Sequence, residues 1–329
     1  TPETPPADRT AAACTGYPPG VMEQQENTMT RSEFAALCRT RLLRLDGATG
    51  TELAKQGMPP GVCPEKWVTE NPQALCAVQG AYVKAGSNIV YAPTFGANPR
   101  KLAEFGLEDS CRELNARLVQ ISREAVGDRA FVFGDIAPTG LLVEPYGELL
   151  FEDCVNCYKE QIRGLLDGGA DGFAIETMMD IQEARAALLG VREAAPDLPV
   201  IVTLTFDESG RTLTGCDPVA ALITMQSLGA DAFGCNCSSG PADMAKLLKK
   251  LQSEVLPVKV EGDIQYCFNK MDEKGKWKLI LINNKGTFKP PMRTKEEFFP
   301  EYAQKITLTL PAGATAKELR LKIPVMQKG

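Results

Sequence analysis

The 329 residues contain no histidine. That removes imidazole from every role it usually takes: no Ser-His-Asp or Cys-His catalytic set, no HExxH zinc site and no histidine metal ligand can be assembled. Any metal would have to be held by thiolate or carboxylate. Apolar runs of bilayer length are also missing, so no membrane segment is expected. Positive charge is in short supply, with 36 Lys and Arg against 42 Asp and Glu for a net charge of −6, and this argues against a nucleic-acid surface. The expected partner is a small, neutral or polar metabolite.

What the chain does have is cysteine and a regular apolar pattern. Its eleven cysteines are an odd number, widely scattered, with no secretory apolar stretch ahead of them. Such usage fits a reducing, cytoplasmic setting better than a disulfide framework. With 44% hydrophobic residues the chain can bury one large core, or one large and one small.

Residues 1–28 are rich in Pro, Thr and Ala and aperiodic. They read as a disordered extension, with Met29 as the expected start of the folded part. Ser32 is placed to cap a short helix through Phe34, Leu37 and Cys38, and LLRLD (Leu42 to Asp46) reads as a buried strand. Short apolar runs then recur: NIVYAP, FVFGD, GFAIE, VIVTLTF and AFGCNC. Helix patterns separate them, and three of those helices end in similar phrases, KAGSN, DGGADG and SLGADA, each supplying a C-cap glycine and a tight turn into the next strand. Strands buried on both faces and joined by helices imply a parallel sheet. About six repeats favour a (β/α)8 barrel, whose chemistry sits at the C-terminal ends of the strands.

Those ends carry Asp46 with Gly47, Thr94 with Asn98 beyond it, Asp135, Glu176 with Thr177, Thr205 with Asp207, and Asn236 with Cys237. Asp46 and Glu176 would face one mouth. Asp135 is as readily a helix N-cap. Cys235 and Cys237 form a CxC pair open to three readings: metal site, redox pair or packing. Cys154 and Cys157 stand at helical i, i+3 spacing, where packing is the simpler reading.

The segments LDGATGTEL, APTFGANPRKL, GDIAPTG, ETMMDIQEARAAL, VTLTFDESGRTLTG and GCNCSSGP, in this order, resemble the homocysteine S-methyltransferase family, over roughly residues 29–260. The resemblance implies a (β/α)8 barrel that methylates homocysteine, with Zn²⁺ held by three thiolates. One is in an Asn-Cys after strand 6 and two are in a Gly-Gly-Cys-Cys after strand 8. It assigns the first thiolate to Cys237, the homocysteine backbone to Asp46 and Gly47, and its ammonium group to Glu176. Thr94 and Asn98 lie at the same expected mouth. The methyl donor stays open, and no corrinoid-binding segment is read in this sequence, so a cobalamin route would need a separate corrinoid protein.

The sequence departs from that pattern near its end. No two cysteines are adjacent, and VLPVKV (Val255 to Val260) reads as the start of strand 7 with no strand 8 after it. Cys216 and Cys63, in the loops after the fifth and first strands, are the weak substitutes on the same face. From residue 261 onward there are 13 Lys and Arg against 8 Asp and Glu, leaving 23 against 34 before it. That tail alternates with period two, as in GDIQYCFNK and WKLILINN, and reads as a small β-sandwich-like module. The expected organisation is therefore an extension (1–28), a barrel truncated as strand 7 begins (29–260) and a β module (261–329) joined as in a chimera. One function reading is an impaired zinc-dependent methyltransferase. The other is a non-catalytic, vestigial protein whose β module binds glycans.

Overall fold

The computed structural model describes residues 29–237, 240–255, 259–261, 265–270, 277–282 and 307–309. The chain divides into two compact units, Thr1–Gly240 and Pro241–Gly329. No helix among the described residues is long and apolar enough to cross a membrane.

The first unit holds five strands: β1 (Ile89–Tyr91), β2 (Phe131–Ile136), β3 (Gly172–Met178), β4 (Val200–Leu204) and β5 (Ala232–Cys235). All pair in parallel, in the order β1-β2-β3-β4-β5. Around them run α4 (Pro72–Ala85), α6 (Cys111–Val126), α7 (Phe151–Asp167), α8 (Ile181–Ala194) and α9 (Pro218–Ser227), each against the next. Strand order that follows sequence order, with neighbouring helices packed on one another, is the winding of a barrel; a doubly wound sheet reverses direction.

The repeated turn phrases explain the regularity. Gly86, Gly169 and Gly229 all have positive φ (105°, 81° and 94°), which lets each helix stop and the chain turn at no Cβ cost. The polar residue two further on in each phrase then accepts from a backbone amide of the neighbouring segment. Asn88 Oδ1 accepts from Arg44 N–H at 3.0 Å, Asp171 Oδ2 from Val132 N–H at 2.7 Å, and Asp231 Oδ2 from Val200 N–H at 2.9 Å. Val200 opens β4 and Val132 is second in β2, so two of these side chains satisfy backbone amides at strand starts.

The N-terminal end of the sheet is covered by α1 (Arg31–Thr40). Its cap is Thr30, not Ser32. The Thr30 hydroxyl accepts from Glu33 N–H while the Glu33 carboxylate accepts from Thr30 N–H, a reciprocal box. Met29 and Phe34 pack with Ile89, Phe133 and Ile201, and Arg31 donates to Asp231 and to Gly229 O.

One expected strand is not realised. Leu42 to Asp46 runs beside β1 without forming a ladder: Arg44 O accepts from both Asn88 and Ile89 N–H, and the Asp46 side chain takes the Tyr91 N–H that a strand carbonyl would have taken. Leu42 and Leu45 are correspondingly exposed. Of the VLPVKV segment, Val255, Lys259 and Val260 are described, and they belong to the second unit. Within the second unit, α10 (Pro241–Val255) is followed by β6 (Lys259–Glu261), which pairs antiparallel with β9 (Thr307–Thr309). The strands β7 (Gln265–Lys270) and β8 (Trp277–Ile282) form a second antiparallel pair. The N-terminal extension, the ELRLKIPV strand and the sandwich reading lie outside the described residues.

Candidate functional site

Side chains alternate along a strand, so residues two apart share a face. Ile89, Phe131, Phe133, Ile201 and Ala232 share one core cluster, which places Tyr91, Asp135, Thr205 and Asn236 on the lumen face toward the C-terminal end. Asp135 is opposite Ala174, so Glu176 belongs to that face too. The expected mouth therefore forms from successive strands.

Three carboxylates meet there. Asp46, half-buried, has its carboxyl pushed up to about 7, mainly by burial and further by the charge of Glu176, while the N–H of Tyr91 at 2.9 Å pulls it back. Burial raises the Glu176 carboxyl as well. Asp135 is an interior residue of β2 and not a helix cap; burial first, then Glu176, Asp46 and Glu65, hold its carboxyl well above the usual range. Its Oδ1 has no hydrogen-bond partner among the described residues. Burial and the same three acids Asp135, Glu176 and Asp46 push the Tyr91 hydroxyl upward. Burial and mutual repulsion thus favour the protonated form of these acids, and a cation brought among them would favour their ionised form.

Gly47 lies beside Tyr82: a Cβ there would sit 2.9 Å from the ring, and the Tyr82 hydroxyl donates to Ala48 O at 3.0 Å. Glycine thus lets the loop after Asp46 lie flat on the aromatic ring. Thr94 and Asn98 are fully buried and engaged inside the protein. The Thr94 hydroxyl donates to Asp135 O at 2.8 Å and accepts from Asp135 N–H at 3.0 Å, while Gln161 of α7 donates to both carbonyls. Asn98 caps α5 (Pro99–Ala103) by accepting from Lys101 N–H at 3.0 Å.

The far side of the mouth is organised by Asn236. Its Oδ1 accepts from Thr177 N–H at 3.0 Å, and its Nδ2 donates to Thr177 Oγ1 at 2.7 Å and to Glu176 Oε2 at 3.2 Å. Thr177 has φ 59° at an irregularity in the β3–β4 pairing, and Cys237 has φ 57°. The two side chains touch, Oγ1 to Sγ 3.7 Å. Asn236 and Tyr91 were the residues that sequence reasoning left without a role. Both sat in quoted motifs, and only the register puts them against the acids.

The thiols are dispersed. Cys237 is exposed just beyond β5, whereas Cys235 ends that strand half-buried, its thiol raised by burial. Cys63 is buried and donates to Glu65 Oε2 at 3.2 Å; Cys216 donates to Asp217 O at 3.5 Å. Cys154 and Cys157 are buried on the inner face of α7, and burial raises both thiols, so they serve packing. Among the described residues no group of three or more Cys, Asp or Glu side chains is arranged to hold a metal ion.

Comparison with known proteins gives a consistent picture. A sequence profile described as Homocysteine S-methyltransferase matches residues 43–304, so the likeness runs past Val260, where composition changes. Methionine synthase of Mycobacterium leprae (strain TN) is 32% identical over 237 residues, and that of Mycobacterium tuberculosis 31%. Each alignment covers 67% of this chain and 20% of the relative, so the chain spans a fifth of the length of these curated relatives. The metallated form of the homocysteine methyltransferase MmuM from Escherichia coli superposes with TM-score 0.59 at 22% identity, over 66% of this chain and 82% of that one. Its apo form gives 0.54 at 23%, over 66% and 80%. At such identity the likeness concerns the fold.

Proposed function

The chain belongs to the homocysteine S-methyltransferase family, and from that premise we propose that it binds L-homocysteine at the C-terminal mouth as the acceptor of a methyl group, with methionine as the product of the transfer. The observation that carries this reading is the acid cluster of Asp46, Asp135 and Glu176 around Tyr91. A zwitterionic amino acid brings the missing cation: its ammonium group would lie against Glu176 and Asp46, and the flat backbone at Gly47 leaves room for its carboxylate end. Thr94 and Asn98 support the mouth from below.

Methyl transfer to sulfur needs a thiolate, and a free thiol with a pKa of about 8.5 is mostly protonated at neutral pH. The Zn²⁺ that the resemblance implies would lower that pKa when bound. The donor set here does not fit such an ion. Cys237 is one exposed thiolate donor, Cys63 and Cys216 are engaged with Glu65 and Asp217, and no two cysteines of the sequence are adjacent. A tetrahedral site with one open position needs three protein ligands. We therefore read this chain, taken alone, as competent to hold homocysteine and impaired in methylating it. The cytoplasmic setting and a separate methyl-carrying partner, such as a corrinoid protein, belong to the same proposal.

Calorimetric titration tests the binding step. L-Homocysteine should bind, and 4-sulfanylbutanoate, which lacks only the ammonium group, should bind at least about thirtyfold more weakly, since a charge-assisted contact with a buried acid is lost. Equal affinity for the two would overturn the assignment of Asp46 and Glu176.

A further inference from the structure

The start of α8 carries two buried acids that the substrate reading does not use, Asp180 and Glu183, 1% and 2% exposed. Their spacing is that of a capping box, in which the second acid reaches back to the backbone N–H of the first. Asp180 does its half, accepting from Glu183 N–H at 3.2 Å. Glu183 turns elsewhere. Its Oε1 accepts from Thr139 N–H at 2.7 Å, from the Thr139 hydroxyl at 2.7 Å and from the Tyr158 hydroxyl at 3.0 Å. That hydroxyl also lies 3.1 Å from Ala137 O, so Tyr158 and Glu183 together fix the chain just beyond Asp135. On the other side, Asp180 Oδ1 accepts from the Thr214 hydroxyl at 2.8 Å, and Leu213 N–H donates to Met179 O at 3.1 Å.

Three consecutive loops are joined in this way: the one after β2 through Thr139, the one after β3 through Met179 and Asp180, and the one after β4 through Leu213 and Thr214. A capped helix of 14 residues does not need an acid aimed at another loop to begin. Burial raises the Glu183 carboxyl and the donors from Thr139 and Tyr158 pull it back, so the group sits where a desolvated acceptor is strongest.

We propose that Asp180 and Glu183 form a clasp that makes the three loops above Asp135 and Glu176 a single unit, and that Glu183 is thereby a positioning residue for the homocysteine site. Only the second half rests on the substrate reading.

The test combines amide hydrogen exchange with homocysteine titration on the full chain, in Glu183→Ala, Glu183→Gln, Thr214→Val and, as a control for general loosening, Val191→Ala. Val191 is fully buried on the same helix and touches neither loop through a hydrogen bond of its side chain. In Glu183→Ala the Thr139 and Leu213 amides should both exchange at least about tenfold faster, and homocysteine should bind about tenfold more weakly. Glu183→Gln retains a carbonyl acceptor and should recover most of both effects. Thr214→Val, which cuts the opposite arm, should speed the Thr139 amide as well. Faster exchange at Thr139 with Leu213 unmoved would show independent loops and overturn the clasp, as would equal acceleration in Val191→Ala. Coupled exchange with unchanged affinity would remove the positioning role. Should the unaltered chain take up no homocysteine, the substrate reading falls, and the exchange data alone decide the clasp.

Discussion

Asn236 and Thr177 are joined across β4 by two hydrogen bonds, 3.0 Å from the Thr177 N–H to Oδ1 and 2.7 Å from Nδ2 to Thr177 Oγ1. Thr177 needs this support. A β-branched residue at φ 59° is a backbone outlier that costs about 1–2 kcal/mol and persists only where its surroundings hold it.

An unusual order of mutational effects follows. Thr177→Gly loses the hydroxyl contact but removes the strain, so its net cost should stay below about 1 kcal/mol. Thr177→Val keeps both strain and shape while deleting the group that Asn236 Nδ2 donates to, and should cost about 1–2 kcal/mol. Urea denaturation of the two variants decides the order. If glycine were the more damaging of the two, the strain at 177 would not be a significant term.

The pH dependence of the mouth has a definite sign. Asp46 has an ordinary carboxyl value of 3.8 and is raised to about 7 in the folded chain. The folded state thus holds that proton to higher pH than the unfolded state does. Its contribution to stability is fully present below about pH 4 and is lost as pH rises to about 7, with a size of about 2–4 kcal/mol. Asp46→Asn should flatten the fall in stability between pH 4 and 7. Homocysteine affinity should run the opposite way, rising as pH passes through 7, because the ammonium group favours the ionised acid. A pH-independent affinity from 5 to 8 would exclude Asp46 from the site.

At the opposite end of the barrel, Asp231 accepts from Arg31, Arg192 and Val200 N–H. Removing it leaves the Val200 amide without its side-chain acceptor and the Arg192 guanidinium without its carboxylate, with Gly229 O and Leu198 O among the remaining acceptors of that guanidinium. Asp231→Ala should cost about 3 kcal/mol, and Asp231→Asn distinctly less, by the rule that breaking one half of a buried pair costs more than the pair is worth. The stability change should leave homocysteine affinity in the folded fraction untouched, since no mouth residue contacts Asp231.

Much of this was legible in the sequence because local rules sufficed. The phrases around Gly86, Gly169 and Gly229 announced both the helix ends and the strand starts, and their periodic return announced parallel winding. Asp46, Glu176 and Cys237 were expected at one mouth because each closes an apolar run. What failed had competing local signals. Ser32 and Thr30 are both good caps, and only Glu33 three residues after Thr30 decides between them. Leu42 to Asp46 has strand composition, but a side chain takes the place of the ladder at Tyr91. The hub role of Asn236 and the outward turn of Glu183 depend on contacts between residues far apart in the chain, about which spacing says nothing.

The last prediction concerns the metal and follows from counting donors. Each thiolate withheld from a zinc site removes a strong ligand and part of the charge neutralisation that holds the ion. Cys237 is exposed and carries an unusual positive φ, while the thiols of Cys63 and Cys216 are directed at Glu65 and Asp217. Purified chain should therefore contain well under one zinc per molecule by atomic absorption, and Cys237→Ala should remove most of what remains. Supplied with methylcobalamin, methyltetrahydrofolate, betaine or a sulfonium donor, the chain alone should give no appreciable methionine, although it still binds homocysteine. Supplying a family segment that carries the adjacent cysteine pair should raise both zinc content and methionine formation. One tightly held zinc in the unaltered chain would mean that other thiols had turned toward Cys237, and loss of that zinc in Cys63→Ala or Cys216→Ala would identify which.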